Sequence, residues 1–473
     1  MIKCPHCGGE MEFKAGTQKV TCPYCRSDFD PTNLEVKVKT SKKKDNPLSA
    51  TGKSYTCAQC GATLMTFDDT AITFCSYCGS QAMLDDVVTE KLSPDLVIPF
   101  AKTKEECINE YKSIIKKNFL VPDYMKDDVV IEKFRGIYMP YAVYNLEFHG
   151  INTAKGSKYA YRSGDYVYYN DYKINADLDV QYNGISFDLS SNFYDKYSKA
   201  IPFNNKESKA FNPNYMVGFY ADNSNVDGAI YDYDAEAITK ADSRKRLFKN
   251  REYSQYNVTS ANVDLDVTDR KMAFFPVYFL AIRDKKNENV SYAVINGQTG
   301  KVAIDLPVSF KKYVILSLIL SVIMFVLINS FVVLTPTKVA IYAAIFSFLS
   351  FILATVQASK IKKKLNHEDD KGYSATKLIE EANKKEENKD EKKEEPKKEK
   401  FHGFKYSYKA LIGFLLPVLL VLLNLVQDSI YYGASIISLA LVLISFKDLV
   451  KEHNMLTTRK LPQLNKRGGD ENA

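Results

Sequence analysis

The sequence predicts a multidomain chain: two small β ribbons, an α+β soluble domain, and four apolar helices of membrane-spanning length. Three observations predict this. Eight of the nine cysteines fall into Cys-x-x-Cys pairs with a repeated spacing. A long middle region alternates strand-like and helix-like hydropathy. Beyond it lie two pairs of apolar runs, separated by a Lys/Glu-rich insert. At 473 residues the chain exceeds one ordinary domain of about 150 residues. Its net charge of +7 comes largely from lysines beside the apolar runs, so it does not by itself indicate nucleic-acid binding. The expected units are a first ribbon (1–36), a polar linker (37–53), a second ribbon (54–90) and an α+β domain (92–308). A helical hairpin (313–358), a charged insert (359–405), a second helical hairpin (408–446) and a basic tail (447–473) follow.

The first ribbon reads Cys4-x-x-Cys7, fourteen residues, Cys22-x-x-Cys25; the second reads Cys57-x-x-Cys60, fourteen residues, Cys75-x-x-Cys78. The unit recurs after 53 residues. A Cys-x-x-Cys turn is a tight knuckle, and two knuckles at the ends of a hairpin make a closed tetrahedral S4 site. Gly8, Gly61 and Gly79 follow the second cysteine of three knuckles, where the chain must turn sharply and glycine accepts positive φ. Ribbons this small bury too little apolar surface to fold unaided, so metal supplies the missing stability. Two structural Zn²⁺ ions are expected, giving two small β zinc ribbons. Spacing alone does not separate zinc from rubredoxin-type iron. No thioredoxin-like βαβ pattern surrounds the cysteines, so a redox role is not expected. Paired thiols of this kind belong to a reducing compartment. Met1-Ile2-Lys3 leads directly into Cys4, which predicts no signal peptide and a cytoplasmic N-terminal part.

In the middle region, residues 102–119 place Cys107, Tyr111, Ile114, Ile115 and Phe119 near one helical face, which makes Cys107 a core residue. Residues 129–148 read as extended. Clean alternation marks strands at 174–180 and 263–267; residues 273–282, 291–295 and 302–304 follow, with a turn at Asn296-Gly297. Residues 235–251 read as a helix. Tyr138–Tyr144 echoes Phe274–Leu280, two apolar extended runs each with an early proline, which suggests a duplicated half. The Tyr-rich run 159–182 is read as aromatic strands packing in a sheet.

No catalytic constellation is visible. Gly52-Lys53-Ser54 lacks the earlier glycine of a phosphate-binding loop, no dinucleotide fingerprint or zinc-protease motif occurs, and His149 is the body's single histidine. The sequence therefore predicts no enzyme.

Residues 313–335 and 339–358 form one apolar pair, broken at Pro336-Thr337-Lys338; 408–426 and 429–446 form the second, broken at Gln427-Asp428. Each run is near the 20 or so residues that cross a hydrocarbon core, so four transmembrane α-helices are expected. Lys311, Lys312, Lys360, Lys362–Lys364, Lys405, Lys447 and Lys451 flank the long-loop side, which predicts a multi-pass protein with both termini cytoplasmic. These lysines also suit contact with anionic membrane lipid. No ionisable residue interrupts the middle of a run, which disfavours transport. Residues 367–400 are a solvated Lys/Glu spacer.

Four stretches carry a resemblance: Val97-Ile98-Pro99-Phe100, Arg135-Gly136-Ile137-Tyr138-Met139-Pro140-Tyr141, Phe274-Phe275-Pro276-Val277-Tyr278, and the run from Ala293 through Asn296-Gly297-Gln298-Thr299-Gly300 to Val302. With the ribbons they cover residues 1–308, and they resemble bacterial membrane proteins with TFIIB-type zinc ribbons, often labelled primosomal-helicase-like. Where that family often has Trp, this chain has Tyr141 and Tyr278. A helicase activity does not fit a chain without a phosphate-binding loop. The resemblance implies a non-enzymatic adapter in the bacterial cytoplasmic membrane that docks SPFH-domain or phage-shock-type proteins. The alternative is a membrane-tethered nucleic-acid binder using the ribbons. Lys14, Lys19 and Arg26 in the first ribbon suit it; the second has Asp68 and Asp69 and no basic residue between its outer cysteines.

Overall fold

The structure is a computed structural model. It describes residues 3–34, 49–66, 75–78, 80, 83–92, 94–131, 133–190, 192–224, 226–248, 255–261, 264–284, 289–331, 335–365, 404–424 and 427–460. Most of the linker, Gly79, Asp68, Asp69, nearly all of the Lys/Glu insert and the basic tail beyond Lys460 lie outside the described residues.

The chain begins with a small antiparallel sheet of β1 (Glu12–Lys14), β2 (Lys19–Thr21) and β3 (Asp28–Phe29). The other described strands join one 13-stranded sheet. They are β4 (Ser49–Cys57), β5 (Thr63–Thr66), β6 (Met83–Leu92), β7 (Leu96–Val97), β8 (Arg135–Ser163), β9 (Tyr166–Asp188), β10 (Lys209–Ala210) and β11 (Tyr220–Asp222). β12 (Gln255–Ala261), β13 (Asp264–Asp284), β14 (Asn289–Asn296), β15 (Val302–Ile304) and β16 (Arg459–Lys460) complete it. Four helices decorate the sheet: α1 (Lys104–Lys117), α2 (Asp128–Ile131), α3 (Asp195–Ala200) and α4 (Asp232–Phe248). Four more end the chain: α5 (Phe310–Phe331), α6 (Pro336–Leu365), α7 (Phe404–Leu423) and α8 (Asp428–Thr457). The body formed by the sheet and its helices is α+β.

α1 starts where its cap dictates. Thr103 Oγ1 accepts the Glu106 amide at 3.2 Å, and the Glu106 carboxylate accepts the Thr103 amide at 2.8 Å, a reciprocal capping box. Cys107, Tyr111 and Ile115, spaced by one turn, are buried against the sheet. The extended reading of 129–148 needs correction at its start: α2 occupies Asp128–Ile131, and β8 begins at Arg135.

β8 and β13 form the centre, antiparallel from Asp264 opposite His149 to Phe279 opposite Arg135. The sequence echo has its explanation here, because its two halves face each other: Phe274 lies opposite Pro140, and Pro276 opposite Tyr138. Proline cannot donate to a ladder and is normally kept out of central strands. Both prolines stand where the outer neighbour changes. β8 pairs in parallel with β11 at Ile137 and Tyr138, then antiparallel with β9 from Tyr141. β13 pairs in parallel with β7 at Ala273 and Phe274, then antiparallel with β14 from Val277. Each proline carbonyl accepts an amide from the chain just beyond the antiparallel partner, Leu189 to Pro140 and Gly297 to Pro276, both at 2.8 Å. The same pairing scheme is thus used twice.

β8 and β9 continue past the body as one hairpin, paired from Tyr141–Asp188 to Ser163–Tyr166. Strands of 29 and 23 residues far exceed the usual five or six. Gly164, at φ +60°, makes the two-residue turn. The Tyr-rich run forms strands of the sheet, as expected, but on this outer arm many of its rings are exposed and not packed in a core. Tyr161 and Tyr168 stack at 4.7 Å across the strands with both rings exposed.

α6, α7 and α8 pack on one another. Small residues are the ones these helices bury: Ala340, Ala344, Ser347 and Ala354 of α6, and Ala434 and Ser438 of α8. Gly413 of α7 sits so close that a Cβ there would lie 3.1 Å from the Ser438 carbonyl. Large apolar side chains such as Leu353, Leu419, Leu422 and Ile436 point outward. Close approach of small residues is how helices pack where lipid supplies no hydrophobic drive. Among the described residues two helices are long and apolar enough to cross a membrane, Pro336–Lys360 and Asp428–Met455. The sequence led us to expect four. The apolar stretch of α7, Ser407–Leu423, is shorter, and part of the first run falls outside the described residues.

The helical block is stitched to the body at both ends. At the start of α5, the Ser309 amide donates to the Leu120 carbonyl at 2.7 Å, and Lys312 Nζ donates to the Val121 carbonyl at 2.8 Å. After α8, β16 pairs with the start of β14, Asn289 opposite Lys460. Asn454 binds both backbone groups of Val308, accepting its amide at 2.7 Å and donating to its carbonyl at 2.8 Å.

Candidate metal centres

Three knuckles close in the same way among the described residues. The amide after each second cysteine returns to the first: Gly8 to Cys4, Arg26 to Cys22 and Gly61 to Cys57, each at 2.8 Å. Gly8 and Gly61 reach this turn at φ +74° and +75°; Arg26 does so at +59° without being glycine. The first cysteine's amide then donates across the turn, Cys4 to Gly9 at 2.8 Å and Cys75 to Ser80 at 2.7 Å. The knuckles therefore hold two sulfurs each in fixed positions, and the hairpin between them brings the pairs together.

Cys4 and Cys25 sulfurs lie 3.5 Å apart, as do those of Cys7 and Cys22. Cys57–Cys78 and Cys60–Cys75 are 3.6 Å apart. Within each group all sulfurs lie within 4.8 Å of one another. A disulfide needs about 2.05 Å, so these are not disulfides. A tetrahedron with metal–sulfur bonds of about 2.3 Å has edges of about 3.8 Å, close to what both groups present. Each group can hold one metal ion, and four thiolates at that spacing suit zinc. With four protein ligands no coordination position stays open for substrate.

The thiols push one another's pKa values apart, as crowded like charges must. In the first group the Gly9 amide acts to lower Cys7, but Cys22 and Cys25 together raise it to about 12. Hydrogen bonding to Ser27 lowers Cys25 to about 6. In the second group hydrogen bonds from Cys60 and Cys75 lower Cys78 to about 3, while Cys75 is raised, chiefly through its bond with Cys57. Four thiolates can coexist here only around a cation.

The surroundings of the two groups differ. In the first, Cys4 and Cys22 are buried while Cys7 and Cys25 face solvent. The ribbon rests on the body through Phe13, whose ring lies 5.4 Å from Tyr215. Gln18 Nε2 donates to the Phe100 carbonyl at 2.6 Å, and Asn214 Nδ2 to the Pro31 carbonyl at 2.6 Å. In the second group all four cysteines are buried. β5 pairs with β11, which pairs with β8, so this ribbon is part of the main sheet. Tyr77, inside its second knuckle, is 1% exposed; its ring lies 5.3 Å from Phe279, and Tyr292 Oη donates to its carbonyl at 2.9 Å. Although a polar linker joins them, neither ribbon is held away from the body. Long-range partners such as Met139, Phe279 and Tyr292 cover the second ribbon, and no local signal announces them.

Two supporting residues were not visible in the motif. Ser27 lies 3.3 Å from Cys25 Sγ and also 2.9 Å from His6 Nδ1, so His6 braces the knuckle without being a ligand. Cys107 is buried outside both groups, and burial pushes its thiol up to about 12. His149 is exposed on the hairpin, 3.1 Å from Asp179.

No family model and no solved structure matches the chain. An uncharacterized protein of Bacillus subtilis (strain 168), YdjG, is 27% identical over 315 residues, which is 66% of this chain and 91% of that protein.

Proposed function

We propose that the chain is a non-enzymatic adapter of the bacterial cytoplasmic membrane, holding two structural Zn²⁺ ions and recruiting a membrane-maintenance protein to the cytoplasmic face. Zinc, when bound, fixes the shape of each ribbon and supplies no reaction. Four spans with both termini inside suit the basic flanks. The stitching of both α5 and the end of α8 to the same body supports an even number of crossings. The small-residue interior and large-residue exterior of the bundle support lipid as its surroundings.

The observation that carries the docking role is the outer face of the first ribbon. Tyr24 is 73% exposed on a knuckle whose backbone is fixed at both ends. A preformed aromatic on a rigid loop loses little entropy on contact and suits protein recognition. By the family resemblance, the partner is an SPFH-domain or phage-shock-type protein.

Two experiments test this. In cells carrying full-length protein with Tyr24→Ala and Lys19→Glu, a fluorescent SPFH-domain candidate is expected to leave the membrane while the variant stays inserted. Retention of the candidate defeats the docking role, and binding of DNA or RNA by the purified chain with a steep salt dependence installs the nucleic-acid alternative. For topology, a cysteine introduced as Asn383→Cys is expected to resist a membrane-impermeant thiol reagent in intact cells. Labelling before lysis reverses the orientation.

A further inference from the structure

A cavity of about 410 Å³ opens between β8, the end of β9, α3 and α4, away from both metal centres. Its size falls in the range of small-molecule sites. Aromatic side chains form its walls. Phe187 and Tyr231 stack at 4.8 Å with planes 9° apart, and Tyr141 meets Phe203 edge-on at 5.6 Å. Among them lie two buried carboxylates, Asp188 and Asp195. A third, Asp234, borders the cavity, against one ammonium, that of exposed Lys199.

Two polar atoms in the lining stand without partners among the described residues. One is the hydroxyl of Tyr141, a side chain only 2% exposed. The other is Oδ1 of Asn205, whose amide nitrogen donates to the Gly184 carbonyl and so fixes the group. A buried polar atom left unsatisfied is costly, and proteins retain few of them. Burial, followed by the nearby charges of Asp188 and Asp195, raises the Tyr141 pKa well above its ordinary value. The hydroxyl therefore stays protonated in a negative field. Carboxylates and an amide oxygen only accept, and a protonated phenol can accept as well as donate, so the cavity calls for a ligand that brings donors and positive charge. An ammonium has three donors and no acceptor, and aromatic faces attract it further.

We propose that this cavity is a binding site for a small primary amine, with its ammonium at Asp188, Asp195 and Tyr141 and its apolar part between the aromatic walls. The site stands apart from the adapter role and does not depend on it.

The test uses the full-length protein in detergent micelles, with benzylamine and its neutral analogue benzyl alcohol as probes in ligand-observed NMR titrations. Benzylamine is expected to bind saturably below about 10 mM and about tenfold more tightly than benzyl alcohol. Asp195→Asn is expected to weaken benzylamine about tenfold and leave benzyl alcohol unchanged. Tyr141→Phe is expected to weaken benzylamine while the melting temperature of the unliganded protein holds or rises, since it removes an unsatisfied hydroxyl. A structural role for that hydroxyl would lower it. Should Asp195→Asn fail to fold, Ile238→Trp serves instead: this exposed position lines the cavity, so a larger ring blocks it. It is expected to abolish benzylamine binding at unchanged melting temperature. Equal affinity for the two probes, no saturable benzylamine binding, or benzylamine binding indifferent to Asp195→Asn or, in its place, to Ile238→Trp overturns the proposal.

Discussion

The two ribbons share one cysteine spacing, yet they are buried to different extents: all four cysteines of the second and only two of the first. The comparison is sharpest at a single position. Tyr24 in Cys22-Pro23-Tyr24-Cys25 and Tyr77 in Cys75-Ser76-Tyr77-Cys78 both stand just before the last cysteine. Tyr24 is largely in solvent, whereas Tyr77 is sealed between Met139, Phe279 and Tyr292. The motif defines a metal site; what surrounds it decides whether that site braces a surface or holds a core. The second ribbon is woven into the body's main sheet, whereas the first keeps a sheet of its own and is attached through Met11, Phe13 and Val20, which share a core with the body.

The largest expected effect separates the ribbons by ligand. Cys75→Ser should remove one zinc and, with it, the cooperative unfolding of the body, because structural zinc in such sites contributes on the order of 10 kcal/mol. Cys25→Ser should also remove one zinc but leave the body folded. Elemental analysis alongside near-ultraviolet circular dichroism of the tyrosines reads both. If the two variants unfold alike, the distinction between core and attachment collapses.

A smaller effect is expected at the paired tyrosines. Tyr77→Ala empties a closed site and should cost about 3–5 kcal/mol. Tyr24→Ala should stay within about 0.5 kcal/mol, as exposed substitutions do. Denaturant titration of each variant measures the gap, and equal losses would mean that Tyr24 is covered in the intact protein.

The smallest effect is kinetic. With a chelator present, Cys25, exposed and with its thiol lowered to about 6, should react with a maleimide about tenfold faster than Cys60 and Cys75. Cys107 should label only after unfolding, since burial holds its thiol near 12 and the reactive thiolate is scarce at neutral pH. Mass spectrometry of the labelled peptides orders the sites. Simultaneous labelling of both ribbons would show that they open together.

Much of this was legible in the chain. Cysteine spacing identifies the two groups, because a knuckle is a local structure that its own residues encode. The spacing of Cys107, Tyr111 and Ile115 places α1 for the same reason. The burial of Tyr77 was not legible, since its covering residues come from strands up to 215 positions away. The arm's strands were legible, but that they reach past the body as one hairpin was not, because exposed tyrosines carry the same strand preference as buried ones. Nor could sequence gather the amine cavity, whose lining comes from separate stretches between Tyr141 and Ile238. The matching prolines were noticed as an echo, but only the pairing pattern gives the reason: each sits where one outer neighbour gives way to another.

The clasp between the end of α8 and the body carries a consequence for the order of synthesis. The ribosome makes Val290 long before its partner Arg459 and Val308 long before Asn454. Until the last helix has been made, the start of β14 has no β16 beside it, and Val308 lacks both hydrogen bonds from Asn454. The body therefore reaches its final form only after the last helix is in place, so a chain that stalls or inserts wrongly leaves an open strand edge, the feature by which quality-control proteases and chaperones recognise unfinished protein.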